Sequence, residues 1–123
     1  MTDYSRGDLV WANLEPVRSG EQGKTRPCVI VSYDALNHSQ HPCVIVCPIT
    51  GKENVHKDYP THVLLLAKAV PGIGKNSVVM AEQIRAIAKA RLDPHKKPVP
   101  LPGEVMAKIA NALQRVLEIY FHS

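Results

Sequence analysis

Residues 25–50, TRPCVIVSYDALNHSQHPCVIVCPIT, decide how this chain is read. Two β-branched runs, CVIVSY (28–33) and CVIVCPIT (43–50), flank DALNHSQHP (34–42), which is rich in Asn, Asp, Ser and Pro. Val and Ile are stiff in a helix and pack well on a pleated surface. Each run therefore predicts a buried strand, and the stretch between them predicts a loop. Pro27 stops any helix ahead of the first run. Pro48, with no N–H for a ladder, marks an edge or a bulge near the end of the second.

The same pattern extends in both directions. LVWANL (9–14) has strand composition, and EPVRSGEQGKTR (15–26) reads as a loop joining it to the first run. GKENVHKDYP (51–60) is a charged loop, THVLLL (61–66) a fourth strand, and PGIGKNS (71–77) a turn-rich connection. VVMAEQIRAI (78–87) nearly alternates and predicts one strand or two bent ones, with Glu82, Gln83 and Arg85 at the surface. KARLDPHKKPVPLP (89–102) is basic and proline-rich, hence an irregular connector.

From Gly103 the period changes. Val105, Met106, Ile109, Ala110, Leu113, Val116, Leu117 and Tyr120 recur every three or four residues, the stripe of an amphipathic helix. Glu104 near its start suits the helix dipole. Short strands between turn signals favour a small closed or partly closed barrel, and one helix buries its remaining face. With 123 residues, one domain is expected over 1–123, the barrel about 7–90 and the helix about 103–121. A barrel this small leaves apolar surface that self-association would cover.

Composition narrows the function. The net charge of +4 and a sequence pI of about 9.1 permit an anionic partner such as nucleic acid without proving one. Aromatic residues are only 5%, too few for a broad base-stacking platform. Cys28, Cys43 and Cys47 cannot all pair with one another and read as free thiols of a cytoplasmic protein. Neither they nor the six histidines have the spacing of a zinc site; His38 and His41 sit in one loop, His56 and His62 flank another, and all four read as surface residues. No secretory leader is legible at the N-terminus, and no apolar run is long enough to span a membrane.

The candidate chemistry is modest. Arg26 precedes one strand and Thr50 ends another. If the two strands are antiparallel neighbours, these residues meet at one rim. Glu21, Gln22 and Lys24 lie on the loop arriving there. A guanidinium fork and a hydroxyl suit phosphate oxygens. From spacing alone, Arg26 reads equally as a surface ion-pair residue and Thr50 as a strand-end cap.

Taken together, GDLVWANLEP (7–16), SGEQGKTRPCVIVS (19–32), CVIVCPIT (43–50), MAEQIRAIAKARL (80–92) and the terminal helix resemble the MazF/PemK/Kid family of toxins. The likeness covers roughly residues 7–119. It implies a mainly β, SH3-like (CcdB/PemK-type) barrel with a C-terminal helix, usually a homodimer. It also implies a toxin endoribonuclease that cuts single-stranded RNA, held in check by a cognate antitoxin, expected to be acidic and partly disordered. By position, Arg26 and Thr50 fall on the family's catalytic residues and Glu21 on its acidic loop residue. Glu82, Gln83 and Arg85 fall on a stretch associated with substrate. Two departures stand out: Ser19-Gly20 replaces the commoner Gly-Ser, and Glu82 stands where some members carry Asp.

The expected reaction needs no metal or cofactor. The 2′-hydroxyl attacks its own phosphate, leaving a 2′,3′-cyclic phosphate and a free 5′-hydroxyl. A guanidinium hardly ever gives up its proton near neutral pH, so Arg26 suits charge stabilisation better than base catalysis, and Glu21 is chemically the better base. The alternatives are a gyrase poison of the CcdB kind, which shares the barrel without catalysis, and an inactive RNA-binding homologue.

Overall fold

The computed structural model describes residues 3–14 and 25–119. In chain order these form β1 (Asp8–Asn13), β2 (Thr25–Ile30), α1 (Asp34–Asn37), β3 (Cys43–Gly51), β4 (His62–Leu65), β5 (Ser77–Met80), β6 (Arg85–Ala88), β7 (Val99–Pro100) and α2 (Gly103–Leu117). Single 3-10 turns occupy Lys52–Asn54, Ala81–Gln83 and Lys89–Arg91. The strands make one antiparallel sheet in the order β4-β5-β3-β2-β1-β7, with β6 also pairing to β3. The sheet curls into a half-barrel, and α2 packs on it, the mainly β architecture expected from the sequence.

Both faces of this sheet are covered, which is why its central runs are almost continuously apolar. Successive side chains point to opposite faces, so neighbours such as Leu9 and Val10, or Val29 and Ile30, enter different cores. Leu9, Val29, Leu65 and Val79 pack with Met106, Ile109 and Ala112 of α2. Val10, Cys28, Ile30, Val44, Val46, Ile87 and Leu92 form the second cluster. The cysteines are free, and burial pushes the thiols of Cys28 and Cys47 up to about 12. They act as small apolar residues. At its end α2 is closed by Glu118 in the left-handed conformation, with Ile119 N–H reaching Gln114 O at 3.0 Å.

Strand β3 is the hub, and it carries the main departure from a simple barrel. Ile49–Gly51 pair with Ser77–Val79, and Cys43–Val46 pair with Arg85–Ala88. Between those ladders, Met80–Ile84 stand against only Cys47 and Pro48. The surplus backbone rises into the 3-10 turn Ala81–Gln83. Pro48 lacks an N–H to offer there, so pairing breaks where it costs least. VVMAEQIRAI is thus two strands around a turn.

Other expectations need correcting. DALNHSQHP is not all loop, because Asp34–Asn37 form a helical turn whose Asn37 is buried. The Asn37 amide bonds Ser32 O at 2.8 Å and Asp34 Oδ1 at 3.0 Å, closing that turn. The strand begins earlier than the run CVIVSY, at Thr25, and ends at Ile30, after which Val31 N–H still bonds Ile45 O at 2.9 Å. The proline-rich tail contains β7, where Val99 and Pro100 pair with Leu9 and Asp8 on the sheet edge, a position that tolerates Pro. Leu117, placed on the apolar stripe, is exposed at the end of α2.

Candidate active site

The β2–β3 ladder runs Ile30 to Val46, Val29 to Cys47 and Cys28 to Pro48. The ladder ends there, and Arg26 and Thr50 lie two residues beyond its last pair on their respective strands. Both line a cleft of about 530 Å³, with Trp11 and Ile73 on one wall and Lys75, Gln83 and Arg85 around it. The rim juxtaposition inferred from antiparallel strands is therefore present, although Arg26 lies within β2 rather than before it. Glu21, Gln22 and Lys24 lie outside the described residues.

A second cavity of about 540 Å³ adjoins the first and shares Thr50, Asn54, Met80 and Gln83 with it. Its remaining walls include His56, Tyr59, His62 and Glu82. Thr50 and Gln83 consequently stand at the junction of two hollows, one cationic and one lined by an aromatic ring. The Tyr59 ring meets His62 edge-on, with centroids 4.9 Å apart.

The turn-borne residues divide their labour. Glu82 accepts the Thr61 hydroxyl at 2.9 Å and faces His62 Nε2 at 3.2 Å. Partial burial pushes the Glu82 carboxyl up. Its own backbone N–H, Thr61 and His62 outweigh that and hold it below the ordinary Glu value. Gln83 projects toward both cavities, its amide 3.5 Å from Met80 Sδ. Arg85 lines the cleft and also donates to Leu14 O at 2.8 Å, fixing the end of β1.

On the opposite side, the turn after Thr50 is pinned to the approach to β5. Lys52 N–H bonds Asn76 O at 3.0 Å, and Lys75 pairs with Glu53. That ion pair holds the exposed Glu53 carboxyl below its usual range. Asn54, the last residue of the turn, donates to Thr50 Oγ1 at 3.1 Å. Lys96 lies over the Trp11 ring, 5.3 Å from its centroid, at the far wall.

Arg26, Lys75 and Arg85 bring positive charge to a hydroxyl-bearing cleft, a donor set chemically suited to phosphate oxygens. The neighbouring hollow can take a planar base against Tyr59. Among the described residues, no three His, Cys, Asp or Glu side chains converge as metal ligands. Sequence reasoning missed Asn54, Tyr59, Thr61 and His62. Only Asn54 carried a local signal, four residues past Thr50 in a short polar turn.

A family model described as a PemK-like, MazF-like toxin of type II toxin–antitoxin systems matches residues 5–117. An endoribonuclease MazF of Staphylococcus saprophyticus subsp. saprophyticus is 40% identical over 115 residues, 94% of this chain and 92% of that protein. A MazE–MazF structure from Deinococcus radiodurans is similar with a TM-score of 0.77 and 28% identity, over 98% of this chain and all of that one (100%). MazF from the same organism, crystallised as MazF, gives a TM-score of 0.73 at 28% identity, covering 97% and 100% of the two chains.

Proposed function

This chain belongs to the PemK-like, MazF-like toxin family of type II toxin–antitoxin systems, and on that premise we propose that it is an endoribonuclease that cleaves single-stranded RNA without a metal ion. The reading rests above all on Arg26 of β2 and Thr50 of β3, which line one cleft just beyond the last pair of their ladder.

The scissile phosphate sits between these two side chains. The RNA 2′-oxygen attacks phosphorus and gives up its proton. The bond to the 5′-oxygen breaks, and that oxygen takes a proton. The products are a 2′,3′-cyclic phosphate and a 5′-hydroxyl. As negative charge grows on the non-bridging oxygens, the Arg26 guanidinium stabilises it and Thr50 adds a hydrogen bond. Gln83 and Arg85 hold the flanking chain, and the nucleotide beside the cut enters the hollow formed by Tyr59, His56 and Glu82. Glu21, Gln22 and Lys24 extend the substrate contacts from the β1–β2 connection.

Two kinds of protein partner fit this reading. A cognate antitoxin with an acidic segment would neutralise the cationic cleft. A second copy of the chain would cover the apolar side chains exposed on β4 and at the end of α2, namely Leu64, Leu117 and Ile119.

The test is incubation of the purified chain with a long single-stranded RNA in excess EDTA, beside Arg26→Ala. Discrete fragments ending in 2′,3′-cyclic phosphate from the wild type alone are the expected result. A DNA version of the cleaved segment should stay intact, because it lacks the attacking hydroxyl. RNA left whole by antitoxin-free wild type would overturn the reading, as would cutting of the DNA.

A further inference from the structure

We propose that Asn54 is a positioning residue for Thr50, setting the direction in which the Thr50 hydroxyl gives its proton. The inference rests on the ribonuclease reading above and deepens it.

A threonine hydroxyl has one hydrogen to donate and two lone pairs to accept with. Asn54 Nδ2 lies 3.1 Å from Thr50 Oγ1, and an amide nitrogen only donates. One lone pair of Oγ1 is therefore engaged, while the hydroxyl hydrogen is left for a different acceptor. Thr50 and Asn54 border both cavities, and Arg26 stands across the first of them. The acceptor that Arg26 would draw to this place is a phosphate oxygen. A hydroxyl that accepts one hydrogen bond is also a better donor of the next. Asn54 thus selects the rotamer in which Thr50 donates to the phosphate, and strengthens that bond.

The support for Asn54 is built. It ends the 3-10 turn Lys52–Asn54, closed by Val55 N–H to Lys52 O at 3.0 Å. Lys52 N–H is anchored to Asn76 O at 3.0 Å, and the Asn76 side chain accepts Ala67 N–H at 2.9 Å. The Glu53–Lys75 ion pair ties the same turn to the chain before β5. Gly51 gives the turn room, since a Cβ there would meet the Glu53 carboxylate. Asn54 is exposed, so its packing contributes little and the bond to Thr50 is its distinctive contact.

The test uses a short RNA spanning a bond already mapped with the wild type. Single-turnover cleavage rates are read for wild type, Thr50→Val, Asn54→Ala, Asn54→Asp and the Asn54→Ala/Thr50→Val double variant. Binding is read separately with the same RNA carrying a 2′-deoxy nucleotide at the cut, which binds without reacting. Asn54→Ala should slow cleavage roughly tenfold, the scale of one lost neutral hydrogen bond, with affinity for the analogue almost unchanged. In the Thr50→Val background the same change should cost nothing further. Asn54→Asp should be slower than Asn54→Ala, because an acceptor captures the Thr50 proton and brings a negative charge.

If Asn54→Ala slows the Thr50→Val enzyme as much as the wild type, Asn54 acts on the substrate itself and the inference fails. It fails too if Asn54→Ala cleaves at the wild-type rate while Thr50→Val is slow, with the ribonuclease site left standing. A Thr50→Val enzyme as fast as wild type would instead overturn the role given to Thr50, and the inference with it.

Discussion

Glu82 is bonded on both oxygens to β4 and the residue before it: Oε1 takes the Thr61 hydroxyl at 2.9 Å, and Oε2 lies 3.2 Å from His62 Nε2. The other imidazole nitrogen, Nδ1, is buried without a hydrogen-bond partner among the described residues. The histidine therefore meets the carboxylate through Nε2, and the 3-10 turn is strapped to β4 by that contact.

A pH dependence follows from the same strap. The folded state holds the Glu82 carboxyl below its ordinary value of 4.5. A depressed carboxyl contributes stability that is fully present above the unfolded value and lost as pH falls through the folded one. Urea midpoints of wild type and Glu82→Gln should differ most near neutrality and converge as the pH drops below 4.5. A gap that widened on acidification would show that the carboxylate is not held as described.

The helix-facing core is expected to be sensitive at Ile109, fully buried on α2 in the cluster that includes Leu9, Val29 and Leu65. Ile109→Ala removes three carbons from a site walled by both the sheet and the helix. The expected loss is about 2–5 kcal/mol in chemical denaturation. A loss below about 1 kcal/mol would mean that α2 is not fastened through this residue.

Arg26→Lys separates charge from geometry. Lysine keeps the positive charge but gives a single ammonium in place of a planar pair of donors. With the phosphate held as proposed, Arg26→Lys should cleave RNA more slowly than wild type and faster than Arg26→Ala. The alanine enzyme should fall by about 10²–10³ in rate, as for a lost transition-state donor. Because Arg26 is exposed, both variants should melt close to the wild type. Equal rates for lysine and arginine would reduce its role to charge alone.

The strands were legible because β-branched runs such as CVIV need burial on both faces, and the structure supplies it. The Arg26–Thr50 juxtaposition was legible for a similar reason: antiparallel neighbours bring the start of one strand to the end of the next. The turn Ala81–Gln83 was not, since its local alternation is that of a strand. What breaks the strand is Pro48, more than thirty positions away and facing it only once the sheet has formed. Strand β7 was hidden by its own prolines, which read as irregular until an edge position accommodates them. His62 was legible as a strand residue within THVLLL, and it pairs with Met80 as the first residue of β4, but its contact with Glu82 arises only once the turn has folded against it. Asn54 offered only its place four residues past Thr50 in a polar turn, and its bond to the Thr50 hydroxyl forms once that turn folds back.

Two glycines make opposite demands, and exchanging each for alanine tells them apart. Gly7 has φ +94°, a region that resists any side chain, and a Cβ there would come within 3.3 Å of Met106 Cγ. Its N–H and C=O are both committed, to Ile30 O at 2.8 Å and from Leu101 N–H at 2.9 Å, so the backbone cannot rotate away. Gly51 has φ −63° and ψ 145°, which alanine adopts freely. The nearest atoms a Cβ would meet there are those of the Glu53 carboxylate, the far end of an exposed, flexible side chain. Gly7→Ala should therefore destabilise by at least about 1–2 kcal/mol. Gly51→Ala should lie within about 1 kcal/mol of wild type, and its loss of unfolded-state freedom acts in the stabilising direction. Urea denaturation of the two variants checks both values. If Gly51→Ala proved the costlier change, the turn would be fixed far more tightly to the sheet than Lys52, Glu53 and Lys75 account for.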